Sequence, residues 1–182
     1  MRVIAVFILL LLANCSKLEE VNVPKKETVA SVNIESARGT LIHKVVADHI
    51  LVEKSKRTLK LYSNNQTIRE YAISLGKDPL GPKQERGDNK TPEGHYRIIS
   101  RNANSKYHLA LEISYPDAQD TERANKSGVD PGDKIMIHGL PEDFNTRKRP
   151  KDWTEGCIAV TNEEIEEIWR LVPDGTTIEI RP

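Results

Sequence analysis

The chain has 182 residues, with 27 basic and 27 acidic side chains and a formal net charge of zero. That length suits one domain with a full core and is too short for two large ones. A balanced charge lacks the one-sided basic excess of a nucleic-acid binder, so no nucleic acid is expected as a partner and any partner must be argued from a site.

Arg2 precedes an uninterrupted apolar run of eleven residues, Val3 to Ala13. Crossing the hydrocarbon takes roughly 20 apolar residues and the apolar region of a secretory signal about 7–15, so residues 1–15 read as an export leader. Leu12-Ala13-Asn14-Cys15 resembles a bacterial lipobox, in which the Cys becomes the lipidated first residue, although Asn14 stands where Gly, Ala or Ser is usual. Cleavage by the ordinary signal peptidase is the alternative. The expected location is the periplasm or cell envelope, with a lipid on Cys15 as the one membrane attachment. Several acyl chains would hold it stably, since a single chain binds a membrane marginally. Cys15 and Cys157 are the only cysteines. With Cys15 lipidated, Cys157 is a reactive thiol, half of an intermolecular bridge, or a buried structural cysteine.

Residues 16–47 carry scattered charge without sustained periodicity and read as a tether, with room for a short helix near Ile34 to Val46. From residue 48 to 182 the pattern becomes that of a folded domain. His49 to Glu53 and Thr58 to Tyr62 are short apolar or alternating runs flanking the polar turn Lys54 to Arg57, which predicts a β-hairpin that Thr67 to Leu75 extends. Gly76 to Gly94 is rich in Gly and Pro and predicts a shaped loop. Strands are expected at His95–Ser100, His108–Ser114 and Lys134–His138, and a closing strand at Thr176–Ile180. One helix is expected, at about 162–172. Thr161 and Glu164 have the spacing of a capping box, and Ile165, Ile168, Trp169 and Val172 follow at helical period. Many short strands with one short C-terminal helix predict a mostly β domain of sandwich or barrel type.

Ile135 to His138 reads as a strand entering a loop, and Cys157 begins a second loop-to-strand junction nineteen residues after His138. An isolated thiol is only a few per cent ionised at neutral pH, so a nucleophilic Cys needs a neighbouring base or positive field, and His138 is the candidate. Gly156 permits close backbone approach, and the N–H groups of Gly156 and Cys157 could hold an oxyanion. Spacing alone leaves a structural Cys beside a satisfied His equally open. No CxxC or HExxH suggests a metal site, no cofactor is expected, and no G-x-S-x-G suggests a serine hydrolase.

Four ordered blocks then carry a resemblance. They are Leu75-Gly76 with Pro79; Gly87-Asp88-Asn89-Lys90-Thr91-Pro92-Glu93-Gly94-His95-Tyr96; Ile137-His138-Gly139; and Gly156-Cys157-Ile158 followed by Asn162. Over roughly residues 48–181 the chain resembles the L,D-transpeptidase catalytic domain (YkuD-type). The resemblance implies a β-rich fold in which Cys157, as thiolate, attacks a carbonyl of a peptidoglycan stem peptide and an amine releases the acyl group. His138 would be the base and the Gly139 carbonyl its orienter. The implied context is cell-wall biogenesis and cell shape.

Two positions depart from the family pattern. Glu155 stands where many members carry a second His, and Ala159 where many carry an Arg able to clamp a carboxylate bidentately. Ala at that place is similar to the branch containing the amidase that releases lipoprotein from peptidoglycan, so an L,D-endopeptidase or amidase is the rival to transfer. A wall-binding module without activity is a third reading, opposed by His138 and Cys157. The candidate substrate contacts are Tyr96, Thr154, Trp153 as an aromatic wall or packing residue, and Arg147 and Arg149. The two arginines belong to the basic stretch 147–151, which is either a solvated loop or a site for anionic stems.

Overall fold

The computed structural model describes residues 45–144 and 150–182. The leader with Cys15, residues 16–44 of the tether and the arginines Arg147 and Arg149 lie outside the described residues, as does most of the helix expected near 34–46. Of that segment Val45 and Val46 are described, and they are not helical.

Alternation decides the strands. In β1 (His49–Glu53) Ile50 and Val52 are buried, in β2 (Thr58–Ser63) Leu59 and Leu61 are buried, and their neighbours face outward. β3 (Gln66–Ala72) pairs antiparallel with β2. β4 (Gly94–Ser105) and β5 (His108–Ile113) form a second hairpin, followed by α1 (Ala118–Ser127), β6 (Met136–His138), β7 (Ile158–Ala159), α2 (Asn162–Leu171) and β8 (Thr177–Arg181). The eight strands make one mixed sheet in the order β3-β2-β1-β8-β4-β5-β6-β7.

β4 serves both halves of that sheet. Its residues 94–97 pair with β8, and from Ile98 onward it pairs with β5. Register shifts between Ile98 and Ser100 and between Asn102 and Ser105 lie along that second pairing, where an extra residue bends the strand. The far ends of the sheet also meet. Ser74, just past β3, exchanges backbone hydrogen bonds with Ala159 of β7 at 2.8 and 2.9 Å, and Thr154 N–H donates to Leu75 O at 3.1 Å. The sheet therefore rolls up around a core that includes Ile50, Leu61, Leu75, Ile98, Leu111 and Ile137.

α2 forms as the capping box and apolar period predict, with Ile165, Ile168 and Val172 buried and Trp169 packed against the core at its side. α1 was not anticipated. Its N-cap Asp117 accepts from Gln119 and Asp120 N–H, and Gly128 closes it at φ 71°. It buries only Asp120 and Ala124, so no apolar stripe marks it in the sequence.

The polar turn Lys54–Arg57 is present, but Lys54 is not a surface residue. Its side chain is 2 % exposed, and its ammonium donates to Gly81 O (2.6 Å), Thr91 O (2.9 Å) and Glu93 Oε1 (2.8 Å). One lysine thus ties the Gly- and Pro-rich loop to the sheet. Asp88 organises the same loop from within, accepting from Lys83 Nζ and from the N–H groups of Gln84, Glu85 and Lys90.

Candidate active site

β6 and β7 lie side by side in parallel, with Ile137 opposite Ile158 and His138 opposite Ala159. This pairing brings His138, at the end of β6, and Cys157, just before β7, onto one cavity of about 640 Å³. Tyr107, Met136 and Trp153 also line it.

The imidazole of His138 is 2 % exposed, and Nδ1 lies 2.7 Å from the carbonyl oxygen of Gly139. A carbonyl can only accept, so the proton is assigned to Nδ1, and Nε2 is left with its lone pair. Burial disfavours the charged ring and, with help from the Lys106 ammonium, pushes the His138 pKa down to about 4, against the opposing bond to Gly139. Gly139 has no room for a side chain, since a Cβ would lie 2.6 Å from Asn162 Oδ1. That oxygen accepts from Leu140 N–H at 2.7 Å, so Asn162 pins the turn that follows His138.

Cys157 is partly exposed and unbridged. Its thiol donates toward Lys134 O at 3.7 Å, and Lys134 reaches that position with φ of 55°. Burial raises the thiol pKa, and the Glu155 carboxylate adds to the rise. The Met136 N–H and the Lys83 and Lys106 ammonium groups pull it back without prevailing. Among the described residues no hydrogen bond joins the sulfur to His138. The two share a cavity as a neutral thiol and a neutral imidazole, not as a preformed ion pair.

The turn before Cys157 is held by Thr154. Its hydroxyl donates to Cys157 O at 2.7 Å and accepts from Gly156 N–H at 3.1 Å. Thr154 touches the cavity, yet its polar atom is committed to the turn and is not a free substrate contact. The same bond takes the Gly156 N–H out of the expected oxyanion pair and leaves Cys157 N–H as its other member. Gly156 itself is required, with φ of 129° and a hypothetical Cβ only 2.6 Å from Lys90 O.

Tyr96 is not brought to the site. It is 4 % exposed in the core, and its hydroxyl donates to Asp120 Oδ2 at 3.0 Å. Trp153 lines the cavity and packs edge-on to His138 at 5.7 Å and to Phe144 at 4.9 Å between centroids. It is set in place by its neighbour Asp152, whose carboxylate pairs with Arg57 at 2.8 Å and accepts from Leu75 N–H at 3.0 Å. Sequence reading missed Tyr107, which stacks on His138; a tyrosine in a hairpin turn carries no signal for that.

A second cavity, of about 480 Å³, is lined by Arg86, Asn89 and Asp133 and also reaches Cys157. Lys134, Glu155 and Cys157 line both cavities. Glu155 is exposed at this boundary, while Ala159 is fully buried in β7. Among the described residues no group of three or more His, Cys, Asp or Glu side chains could hold a metal ion.

The profile of the L,D-transpeptidase catalytic domain, YkuD, matches residues 47–180. The chain belongs to this family. Similar members include YafK of Escherichia coli strain K12, named as an L,D-transpeptidase and 34 % identical over 131 residues, covering 68 % of this chain and 46 % of YafK. YkuD of Bacillus subtilis, named likewise, is 27 % identical over 137 residues, covering 72 % of this chain and 65 % of its own. Among solved structures, the helical cell shape determining protein Pgp2 from Campylobacter jejuni superposes with a TM-score of 0.59 at 26 % identity, covering 74 % of this chain and 47 % of Pgp2. The chain spans about half the length of YafK and of Pgp2. Among the described residues the fold is mostly β, with two short helices where one was expected.

Proposed function

We propose that the protein is a peptidoglycan cysteine acyl-transferase in which Cys157 is the nucleophile and His138 the general base. One observation carries this reading: a cavity shared by a thiol and a buried imidazole whose Nδ1–H is held by Gly139 O, leaving Nε2 able to accept a proton. Substrate entering the cavity displaces the sulfur from Lys134 O toward Nε2; catalytic hydrogen bonds commonly tighten only at that stage. The sulfur attacks the stem-peptide carbonyl and its proton passes through His138 to the departing amine as the peptide C–N bond breaks. An acceptor amine then attacks the thioester, a new C–N bond forms as the acyl C–S bond breaks, and the amine's proton returns to the released sulfur through the same imidazole.

The second cavity supports transfer over hydrolysis, because an acceptor can reach the thioester from a side the acyl donor does not fill. Hydrolysis by an L,D-endopeptidase or amidase is the competing outcome, favoured by the exposed Glu155 carboxylate beside the thioester. Export by the leader 1–15, lipidation at Cys15, the tether 16–47 and stem-peptide binding by Arg147, Arg149 and Trp153 belong to the same proposal. Among the described residues no helix is long and apolar enough to cross a membrane.

The test is to incubate the protein with muropeptides and rising D-amino acid or acceptor stem, and to weigh the products. Exchanged product that grows with acceptor supports transfer, and product that stays almost entirely hydrolysed overturns it. Cys157→Ser abolishes both turnover and covalent labelling by a carbapenem on this reading, since a hydroxyl is far less ionised than a thiol.

A further inference from the structure

The imidazole of His138 is held on three sides. Nδ1–H is taken by Gly139 O, and Trp153 meets the ring edge-on at 5.7 Å and 75°. The Tyr107 ring lies over its face at 4.4 Å between centroids and 21° between planes. Tyr107 sits in the β4–β5 turn, which His108 closes at φ 70°, and Trp153 contacts Tyr107 edge-on at 5.7 Å. Above all of this, Lys106 Nζ stands 4.8 Å from the centroid of the Tyr107 ring.

We propose that Tyr107 is a positioning residue for the reaction, its stacked ring fixing the plane of His138 and keeping water from it so that Nε2 stays an unprotonated acceptor beside Cys157. This rests on reading His138 as the base. The rotation about the last bond of a His side chain is broad, so one hydrogen bond leaves the ring free to swing about it, whereas a face contact at stacking distance removes that freedom. An aromatic face can also attract a cation, which would favour imidazolium. Here Lys106 already occupies the Tyr107 ring, and its charge opposes a second cation there. The charged and titratable groups lining the cavity with His138 are Lys77, Lys106, Tyr107, Lys134, Glu155 and Cys157. Of these, Lys106 acts with burial to hold the ring neutral.

The experiment uses the full chain, labelled with ¹⁵N-histidine, as the parent and the variants Tyr107→Phe, Tyr107→Leu and Tyr107→Gln. The His138 ring nitrogens are titrated by NMR, and kcat/KM for muropeptide turnover is followed against pH. Phe keeps the ring and should match the parent in both. In Leu and Gln, the His138 titration should move up toward the ordinary imidazole range, the acid limb of kcat/KM should move with it, and kcat at neutral pH should fall at least ~10-fold at unchanged KM. A purely structural tyrosine would lower the melting temperature and leave the titration where it was, which overturns the proposal. If the titration moves while the acid limb stays, Tyr107 controls His138 as proposed and the assignment of His138 as base is what fails. Leu and Gln remove the ring with different chemistries, so the test survives if one of them does not fold.

Discussion

The Thr154 hydroxyl closes a four-residue turn onto the main chain of Cys157, donating to its carbonyl at 2.7 Å while accepting the Gly156 N–H at 3.1 Å. Cys157 is therefore held through its backbone, while its thiol reaches toward Lys134 O.

Thr154→Val removes both bonds and leaves the buried Gly156 N–H without a partner, at a cost of about 1–3 kcal/mol. Urea unfolding should show that loss, and turnover should fall with it. Thr154→Ser keeps the oxygen and should restore most of both.

Gly156→Ala should be more damaging. The residue sits at φ 129°, a conformation that side chains resist, and the new methyl would press on Lys90 O at 2.6 Å. Backbone strain alone is of order 1–3 kcal/mol, and relief would push the loop away from Cys157. Carbapenem labelling of a folded Gly156→Ala protein at the parent's rate would contradict this role.

The depressed pKa of His138 makes stability depend on pH with a definite sign. Above about 6.5 the ring is neutral in both folded and unfolded chains and contributes nothing to the pH dependence. As pH falls from there through about 4, the unfolded chain takes up a proton that the folded chain refuses, so stability is lost. The full effect is roughly 3 kcal/mol below pH 4. Comparing unfolding of the parent with His138→Gln at pH 7.5 and pH 4.5 measures it; the parent should lose more of its stability than the variant.

Cys157 should be a slow thiol until the site is occupied. Burial and Glu155 hold its pKa above the ordinary value, so alkylation by iodoacetamide should keep rising with pH through the alkaline range and show no plateau near neutrality. Glu155→Gln removes a like charge from beside the forming thiolate and should shift that rise to lower pH. An unchanged profile would mean that the carboxylate does not reach the sulfur.

Lys54→Met tests the tie between sheet and loop. Removing a buried cation leaves the carbonyls of Gly81 and Thr91 and the part-buried Glu93 carboxylate without their donor, at a cost of about 1–3 kcal/mol. Because Lys90 O packs on Gly156, thermal unfolding and turnover should both register the change.

Local pattern by itself determined much of this protein. Two-residue alternation placed Ile50, Val52, Leu59 and Leu61 inward, and a capping box with helical period placed α2 to within a residue or so at each end. The four sequence blocks named the family and drew attention to Cys157 and His138. These features are encoded within a few neighbouring residues, where backbone sterics and side-chain direction act. What the tertiary structure decided depends on which distant segments meet. Lys54 became a buried staple because the Gly- and Pro-rich loop folds onto its turn, and Tyr96 went to the core because α1, itself unmarked by any apolar stripe, brings Asp120 to its hydroxyl. Asp152 gained Arg57 across 95 residues of chain, and Tyr107 came to cover His138 only because a bulged β4 carries its hairpin turn over the end of β6. Contacts of that kind depend on where the rolled sheet closes, and no local run of side chains specifies that.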